Sequence, residues 1–326
     1  MLKSFFSHSR RLTLLSIAAL CAHAGAQGQT YPSKPITFIV PFAAGSATDQ
    51  LARALGQSIT EQTRQTVIVE NKAGAGGMLA AQAVARAPAD GYTVLIATNT
   101  TQAANEHLYK KMPYDPVKDF APVTGLGKGG QVMVVPASSP YRTVADVVSA
   151  ARKAPGKLSF GSGSSSSRMA GEMLKQLAGI DVLHVPYKSN PMALTDLIGG
   201  QFDFMITDTS TGVPHIKSGR LRPLAYSTRK RSTQLPDVPT LEEAGIKGYD
   251  ISYWFATYVP AGTPTGTVNA LRQLIVQGVN GPATRAFFET SGSEPWTTAP
   301  EELAAFQASE TVKWGKVIRA AGIEPE

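Results

Sequence analysis

Between residues 36 and 42 the chain reads ITFIVPF, a β-branched and aromatic run that predicts a buried strand. Small residues follow at 43–48. From Asp49 the apolar positions Leu51, Leu55 and Ile59 recur every four residues, so a helix is expected over 49–63. The same order of strand, loop and helix returns at 66–70, 73–77 and 78–87, and Asp90-Gly91 turns the chain into a third strand at 92–97. Strands alternating with helical periods predict an α/β fold with largely parallel sheets.

Pro113, Pro116 and Pro122 interrupt this rhythm. Two extended stretches, 121–125 and 131–135, flank a loop reading GLGKGG at 125–130 and are expected to carry the chain from one domain to the next. A second α/β set follows, with strands near 158–160, 182–185, 202–206 and 221–226 and helices beginning near Thr143, Arg168, Pro191 and Thr211. An extended stretch at 249–259 leads back, and helices at 265–280, 282–291 and 299–321 are expected to pack on the first domain. A chain of 326 residues is long enough for two cores. The expected plan is a discontinuous lobe 1 (27–128 plus 251–326), an inserted lobe 2 (129–250), and a two-segment hinge beside a ligand cleft.

Residues 1–26 read as a cleavable export signal: a basic stretch ending at Arg10-Arg11, an apolar run over 12–22, and A-x-A cleavage after Ala24 or Ala26. The apolar run of 11 residues is short of the roughly 18 that a membrane span needs. Arg10-Arg11 also raises a twin-arginine route, although Thr13 stands where that signal usually carries Phe. The only cysteine, Cys21, follows Leu20 rather than the small residue of a lipoprotein motif, so no lipid anchor, disulfide or cysteine metal site is expected in the mature chain.

Composition then excludes whole classes. With 43% apolar and 17% charged residues the chain is neither disordered, collagen-like nor a coiled coil. The net charge of +7 falls to +4 without Lys3, Arg10 and Arg11, which gives no reason to expect a nucleic-acid partner. GLGKGG matches G-x-G-x-x-G literally but leads toward a strand instead of a helix, and no phosphate-binding P-loop exists. His107, His184 and His215 form no metal-ligand pair, and G-x-S-x-G is absent, so neither an enzyme nor a cofactor is expected.

Three small-residue loops leading into helices are the informative chemistry: 43–48, 73–77 and 161–167. Such loops aim backbone N–H groups and the positive end of a helix at an anion, although Gly and Ser also serve ordinary turns and caps. Ser162, Ser164, Ser165, Ser166 and Ser167 add hydroxyl donors, and Arg168 a bidentate carboxylate contact or a solvated surface charge. Asp49 reads as a first-turn acid opposing the helix dipole, or as the group that fixes the loop or a ligand donor. Asp208, past a strand's carboxyl end, is expected to accept from a ligand ammonium or hydroxyl or to cap the next turn. Tyr187 brings a ring and hydroxyl to the same cleft or to the core.

The ordered set YPSKPI at 31–36, IVPFAAG at 39–45, VENKAGAGG at 69–77, DGY at 90–92, VPYK at 185–188, LTDLIGG at 194–200, LPDVPT at 235–240 and PAGTP at 260–264 resembles the periplasmic solute-binding proteins of tripartite tricarboxylate transporters, the Bordetella-uptake-gene family. The resemblance covers essentially the whole mature chain. It implies a type II periplasmic binding fold, two α/β lobes closing as a monomer on a small organic carboxylate for delivery to membrane permease subunits. It places a carboxylate against Phe42, Ala43, Ala44, Gly45 and Ser46, with the loop 161–168, Asn99, Thr100, Tyr187 and Asp208 completing the site. Gly45-Ser46 stands where relatives often carry two glycines, and Arg168 where many carry His, a change that favours a dicarboxylate or aromatic acid. A periplasmic sensor presenting its closed form to a signalling receptor would need the same cleft.

Overall fold

The computed structural model describes residues 31–325, so the expected export signal lies outside the described residues. Strand β1, Ile36–Val40, is buried along nearly its whole length, as a central strand covered on both faces must be. It leads through a turn into α1, Ala47–Thr63, whose Leu51, Leu55 and Ile59 are fully buried. Ser46 caps this helix by accepting from the Asp49 N–H at 3.3 Å. The helix stops at Arg64, which adopts the left-handed conformation. Strand β2, Val67–Asn71, alternates half-buried and exposed positions, as an edge strand does. Helix α2, Met78–Ala85, and strand β3, Thr93–Thr98, complete a parallel three-stranded unit with β1 in the middle. A π-helical turn, Thr100–Ala104, then runs into the short α3, Asn105–Leu108.

The stretch expected to be a GLGKGG loop is strand. β4 covers Phe120–Gly129, and only Gly130 separates it from β5, Gln131–Pro136. Aromatic side chains leave no room for a Cβ here. One at Gly125 would lie 2.5 Å from Trp296, at Gly127 2.5 Å from Phe288, at Gly129 2.3 Å from Tyr253 and at Gly130 2.6 Å from Tyr226. The glycines serve close packing across a strand that passes from one sheet to the next.

The second sheet contains β5, β6 (Ser159–Ser162), β7 (Leu183–Pro186), β8 (Phe204–Asp208) and β9 (Leu221–Tyr226). Its helices are α4 (Val144–Lys153), closed by a Thr143–Asp146 capping box, α5 (Ser165–Ala178), α6 (Asn190–Ile198) and α7 (Thr209–Lys217). α5 starts three residues before the expected Arg168, because Ser164 supplies its cap by accepting from the Ser167 N–H at 3.2 Å.

The chain returns through β10, Tyr253–Pro260, and ends with α8 (Thr265–Val279), α9 (Pro282–Ser291), β11 (Glu294–Pro295) and α10 (Pro300–Ala320). The strand orders are β11-β4-β10-β3-β1-β2 and β7-β6-β8-β5-β9. Both sheets are mixed rather than largely parallel. β10 runs antiparallel to β3 and β4, and β5 antiparallel to β8 and β9, because the strands that cross between sheets enter against the parallel units. The terminal helices pack on the first sheet, where Trp254 and Trp314 both donate to Glu310 at 3.1 Å. One apolar cluster runs from Ile39 and Leu95 beside the first sheet to Met133 and Phe160 beside the second. Both sheets belong to one compact unit, Lys34–Glu326.

Candidate functional site

The β1–α1 turn is held rigid by its own side chains. Gly45 has φ +80°, a left-handed conformation that favours glycine. The Gly45 N–H donates to Asp49 at 2.9 Å, Arg53 Nε donates to the same carboxylate at 3.1 Å, and Asn71 Nδ2 at 2.9 Å. Asn71 also donates to the Phe42 carbonyl at 2.9 Å, tying the turn to β2. Burial alone would raise the Asp49 pKa, but the hydrogen bonds from Arg53, Gly45 and Asn71 outweigh it and hold the carboxyl below its usual range. The first-turn N–H groups of α1 have no acceptor within the helix.

A second helix start faces the same place. Gly163 precedes the Ser164 cap of α5, and a Cβ on it would lie 1.9 Å from the Ser189 backbone, so the chains meet there only because position 163 is glycine. The Gly163 N–H donates to Asn190 Oδ1 at 2.9 Å, and Asn190 Nδ2 donates to Asp208 at 2.6 Å. One side chain thus joins the β6–α5 turn to the end of β8.

Between the two turns lies an inner cavity of about 20 Å³, room for roughly one water molecule. The first-sheet side supplies Phe42, Ser46, Thr48, Asn99 and Thr100; the second supplies Gly163, Ser164, Ser166, Asn190 and Asp208. Asn99 is 1% exposed, and neither its amide nitrogen nor its oxygen has a hydrogen-bond partner. Such a group is costly to bury without a partner. Burial pushes the Asp208 carboxyl up to about 6, against hydrogen bonds that favour its charge.

Phe42, Gly163 and Ser164 also line a larger outer compartment of about 490 Å³. Here Ser162, Ser165, Arg168 and Tyr187 meet Tyr109 and His184, and Lys188 adds a second cation. Ser162 and His184 Nε2 share a hydrogen bond of 2.7 Å. Burial, with Arg168 and Lys175 adding to it, pushes His184 down to about 4, so the imidazole is neutral near pH 7. Tyr187 donates from its hydroxyl to Asp196 at 2.9 Å and lays its ring 5.7 Å from Phe202.

The remaining expected site residues fall outside both cavities. Ala43, Ala44 and Gly45 shape the turn without lining it, and the Asp49 carboxylate is occupied by that turn. Ser167 is fully buried and donates to the Ile206 carbonyl, since it is the third helical residue and points to β8 rather than along the cleft. Asp208 makes no side-chain cap for α7. Thr48 and Gly163 lie in the loops 43–48 and 161–168 that the sequence singled out, whereas Asn190 and His184 were missed as site residues. Asn190 is the first residue of α6, behind the cap position Ser189, and its role comes from contacts with Gly163 and Asp208 that are distant in sequence.

Two helix starts, hydroxyls and an unpartnered amide thus surround one small cavity, and the helix starts present the positive ends that attract anions. Among the described residues no group of three or more His, Cys, Asp or Glu is placed to hold a metal ion, and no helix is long and apolar enough to cross a membrane.

The family model described as the tripartite tricarboxylate transporter family receptor matches residues 51–323. A protein of Pseudomonas sp. strain P51, the UPF0065 protein in the tcbD-tcbE intergenic region, is 36% identical over 315 residues, spanning 95% of this chain and 94% of its own. R. palustris Rpa4515, solved with adipate, superposes with a TM-score of 0.88 at 34% identity, covering 91% of this chain and 100% of that one. The periplasmic binding protein BugD gives 0.86 at 32% identity with the same coverage.

Proposed function

The chain belongs to the tripartite tricarboxylate transporter receptor family, and on that premise we propose that it captures a small organic carboxylate in the periplasm and hands it to membrane permease subunits. The observation that carries this reading is the convergence of two helix starts, one from each sheet, on a cavity that holds the unpartnered Asn99 amide. The carboxylate takes the inner cavity, with Ser46, Asn99, Thr100, Ser164 and Ser166 as donors, and the rest of the molecule occupies the outer compartment. Arg168 and Lys188 give that compartment two cations and no lining acid, which favours a di-, tri- or aromatic carboxylate over a short monoacid.

The sheets head two lobes, 27–128 plus 251–326 and 129–250, that close through the crossings at Gly130 and at 227–252. An inner cavity of about 20 Å³ is too small for an organic acid, so capture requires these lobes to separate and re-close around the ligand. Residues 1–26 are removed on export, and the mature chain acts as a monomer.

A thermal-shift screen of the mature protein, stripped of co-purified ligand, against mono-, di-, tri- and aromatic carboxylates, sugars and amines tests the reading. A ligand at 100 times its Kd stabilises the folded state by about 2.7 kcal/mol, a shift of several degrees. Stabilisation by sugars or amines alone, with every carboxylate inert, overturns it.

A further inference from the structure

Asp208 is the one acid in the inner cavity, and it sits where the oxyanion donors converge. It is 8% exposed, and no Lys, Arg or His lines that cavity. What faces it is neutral or itself acidic. Strand β5 brings Gln131 opposite it, α6 brings Asn190, the β6–α5 turn brings Ser164 and Ser166, and Thr211 of α7 donates to its main-chain carbonyl. From β9 and β10 come the phenols of Tyr226 and Tyr253. Both are raised chiefly by burial and further by the Asp208 charge. Glu294 bears on Tyr226 from β11. The cations of the cleft, Arg168 and Lys188, belong to the outer compartment.

A ligand carboxylate seated here therefore meets a second carboxylate with no counter-charge between them. Two like charges in one desolvated pocket cannot both remain ionised at ordinary cost. Resting on the carboxylate reading of the cleft, we propose that the site binds a proton together with its ligand: as the anion seats, Asp208 takes one proton from solvent and the resulting carboxyl O–H donates to the ligand oxygen. One O–H bond forms on Asp208, one O–H bond of hydronium or phosphate or one N–H bond of protonated Tris breaks, and the complex carries one negative charge fewer than the separated protein and ligand.

Desolvation has already brought the Asp208 carboxyl to about 6 without any ligand, so little further perturbation is needed to keep it protonated at neutral pH. If the anion binds only the protonated form, affinity falls about fifty-fold from pH 6 to pH 8, since the protonated fraction falls by that factor. A ligand that brings its own donor beside the carboxylate, a 2-hydroxy or 2-amino acid, satisfies Asp208 directly and escapes this dependence.

The test uses acetate, succinate, adipate and benzoate, acids without such a donor, on the mature chain. Titration calorimetry at pH 7.5 in phosphate and in Tris, whose heats of ionisation differ, counts the protons taken up per ligand bound. Wild type should take up close to one, with affinity rising toward pH 6. Asp208→Asn should take up none and bind with a flat pH profile. Infrared difference spectra of the wild-type protein, with and without the acid, should show a new protonated-carboxyl band, a readout that needs no folded variant. Tight binding with no proton uptake and no such band overturns the proposal while leaving the carboxylate site standing. Absence of binding by every acid of the wider panel between pH 5.5 and 8 overturns both.

Discussion

Replacing Asp49 by alanine strips three donors of their acceptor: the Gly45 N–H at 2.9 Å, Arg53 Nε at 3.1 Å and Asn71 Nδ2 at 2.9 Å. They do not suffer equally. Asn71 keeps the Phe42 carbonyl, and Arg53, at 53% exposure, turns to water, so its ion pair contributes no more than about 1 kcal/mol. Gly45 loses a charge-assisted bond in a half-buried turn, worth about 2 kcal/mol. The sum predicts a loss of about 3 kcal/mol for Asp49→Ala, read from urea denaturation followed by tryptophan fluorescence. Asp49→Asn should lose less, since one acceptor oxygen remains. Because the folded pKa lies below its ordinary value, this stabilisation is full above about pH 5 and disappears as pH falls through the folded pKa, so wild type and Asp49→Asn should converge in acid. Ligand affinity should fall about tenfold as the turn loosens. A variant within 0.5 kcal/mol of wild type refutes the network as a source of stability. Unchanged stability with abolished binding would instead mean that the carboxylate touches the ligand.

Gly163→Ala forces a Cβ to within 1.9 Å of the Ser189 backbone and should cost about 3 kcal/mol in the same denaturation assay together with most ligand affinity; a neutral substitution would show that the two turns are not in contact. Arg168→Ala should reduce the preference for dicarboxylates over matched monocarboxylates about tenfold by calorimetry, with stability nearly unchanged, and an unaltered ratio removes Arg168 from ligand recognition. For His184, whose folded pKa of about 4 lies below its unfolded value, the unfolded chain binds the extra proton. Wild type should therefore lose about 2 kcal/mol more than His184→Asn as pH falls from 6.5 to 4, and parallel stability profiles would contradict the buried neutral imidazole.

What the sequence disclosed and what it hid follow from the range of the forces involved. β1 and α1 were legible because Leu51, Leu55 and Ile59 carry their own period, and the terminal helices for the same reason. The glycine run of β4 was hidden because its cause is remote: Trp296 and Phe288, more than 150 residues away, decide that positions 125 and 127 have no side chain. Local composition reads such a run as a loop. The Ser-rich stretch was misread for the opposite reason, since serine favours turns locally while the Ser164 cap commits 165–167 to helix. At the site, the anion-seeking loops were visible as strand, small residues and helix. The unpartnered Asn99 amide and the Asn190–Asp208 bond exist only once β3, β8 and α6 are brought together.

The strand order of the first sheet also dictates when that sheet can be completed. β4 pairs only with β10 and β11, and β10 is the strand that bridges β4 to β3. Both partners lie beyond the whole second sheet in the chain. As the polypeptide emerges, the unit β2-β1-β3 can assemble at once, but β4 waits with both edges open until residue 253 arrives. That wait spans the whole second sheet, from Gln131 to Tyr226. During it the first sheet presents unpaired strand edges, a ready template for pairing with another chain. The gap closes only when β10 is present, so a molecule truncated before residue 253 cannot complete its first sheet.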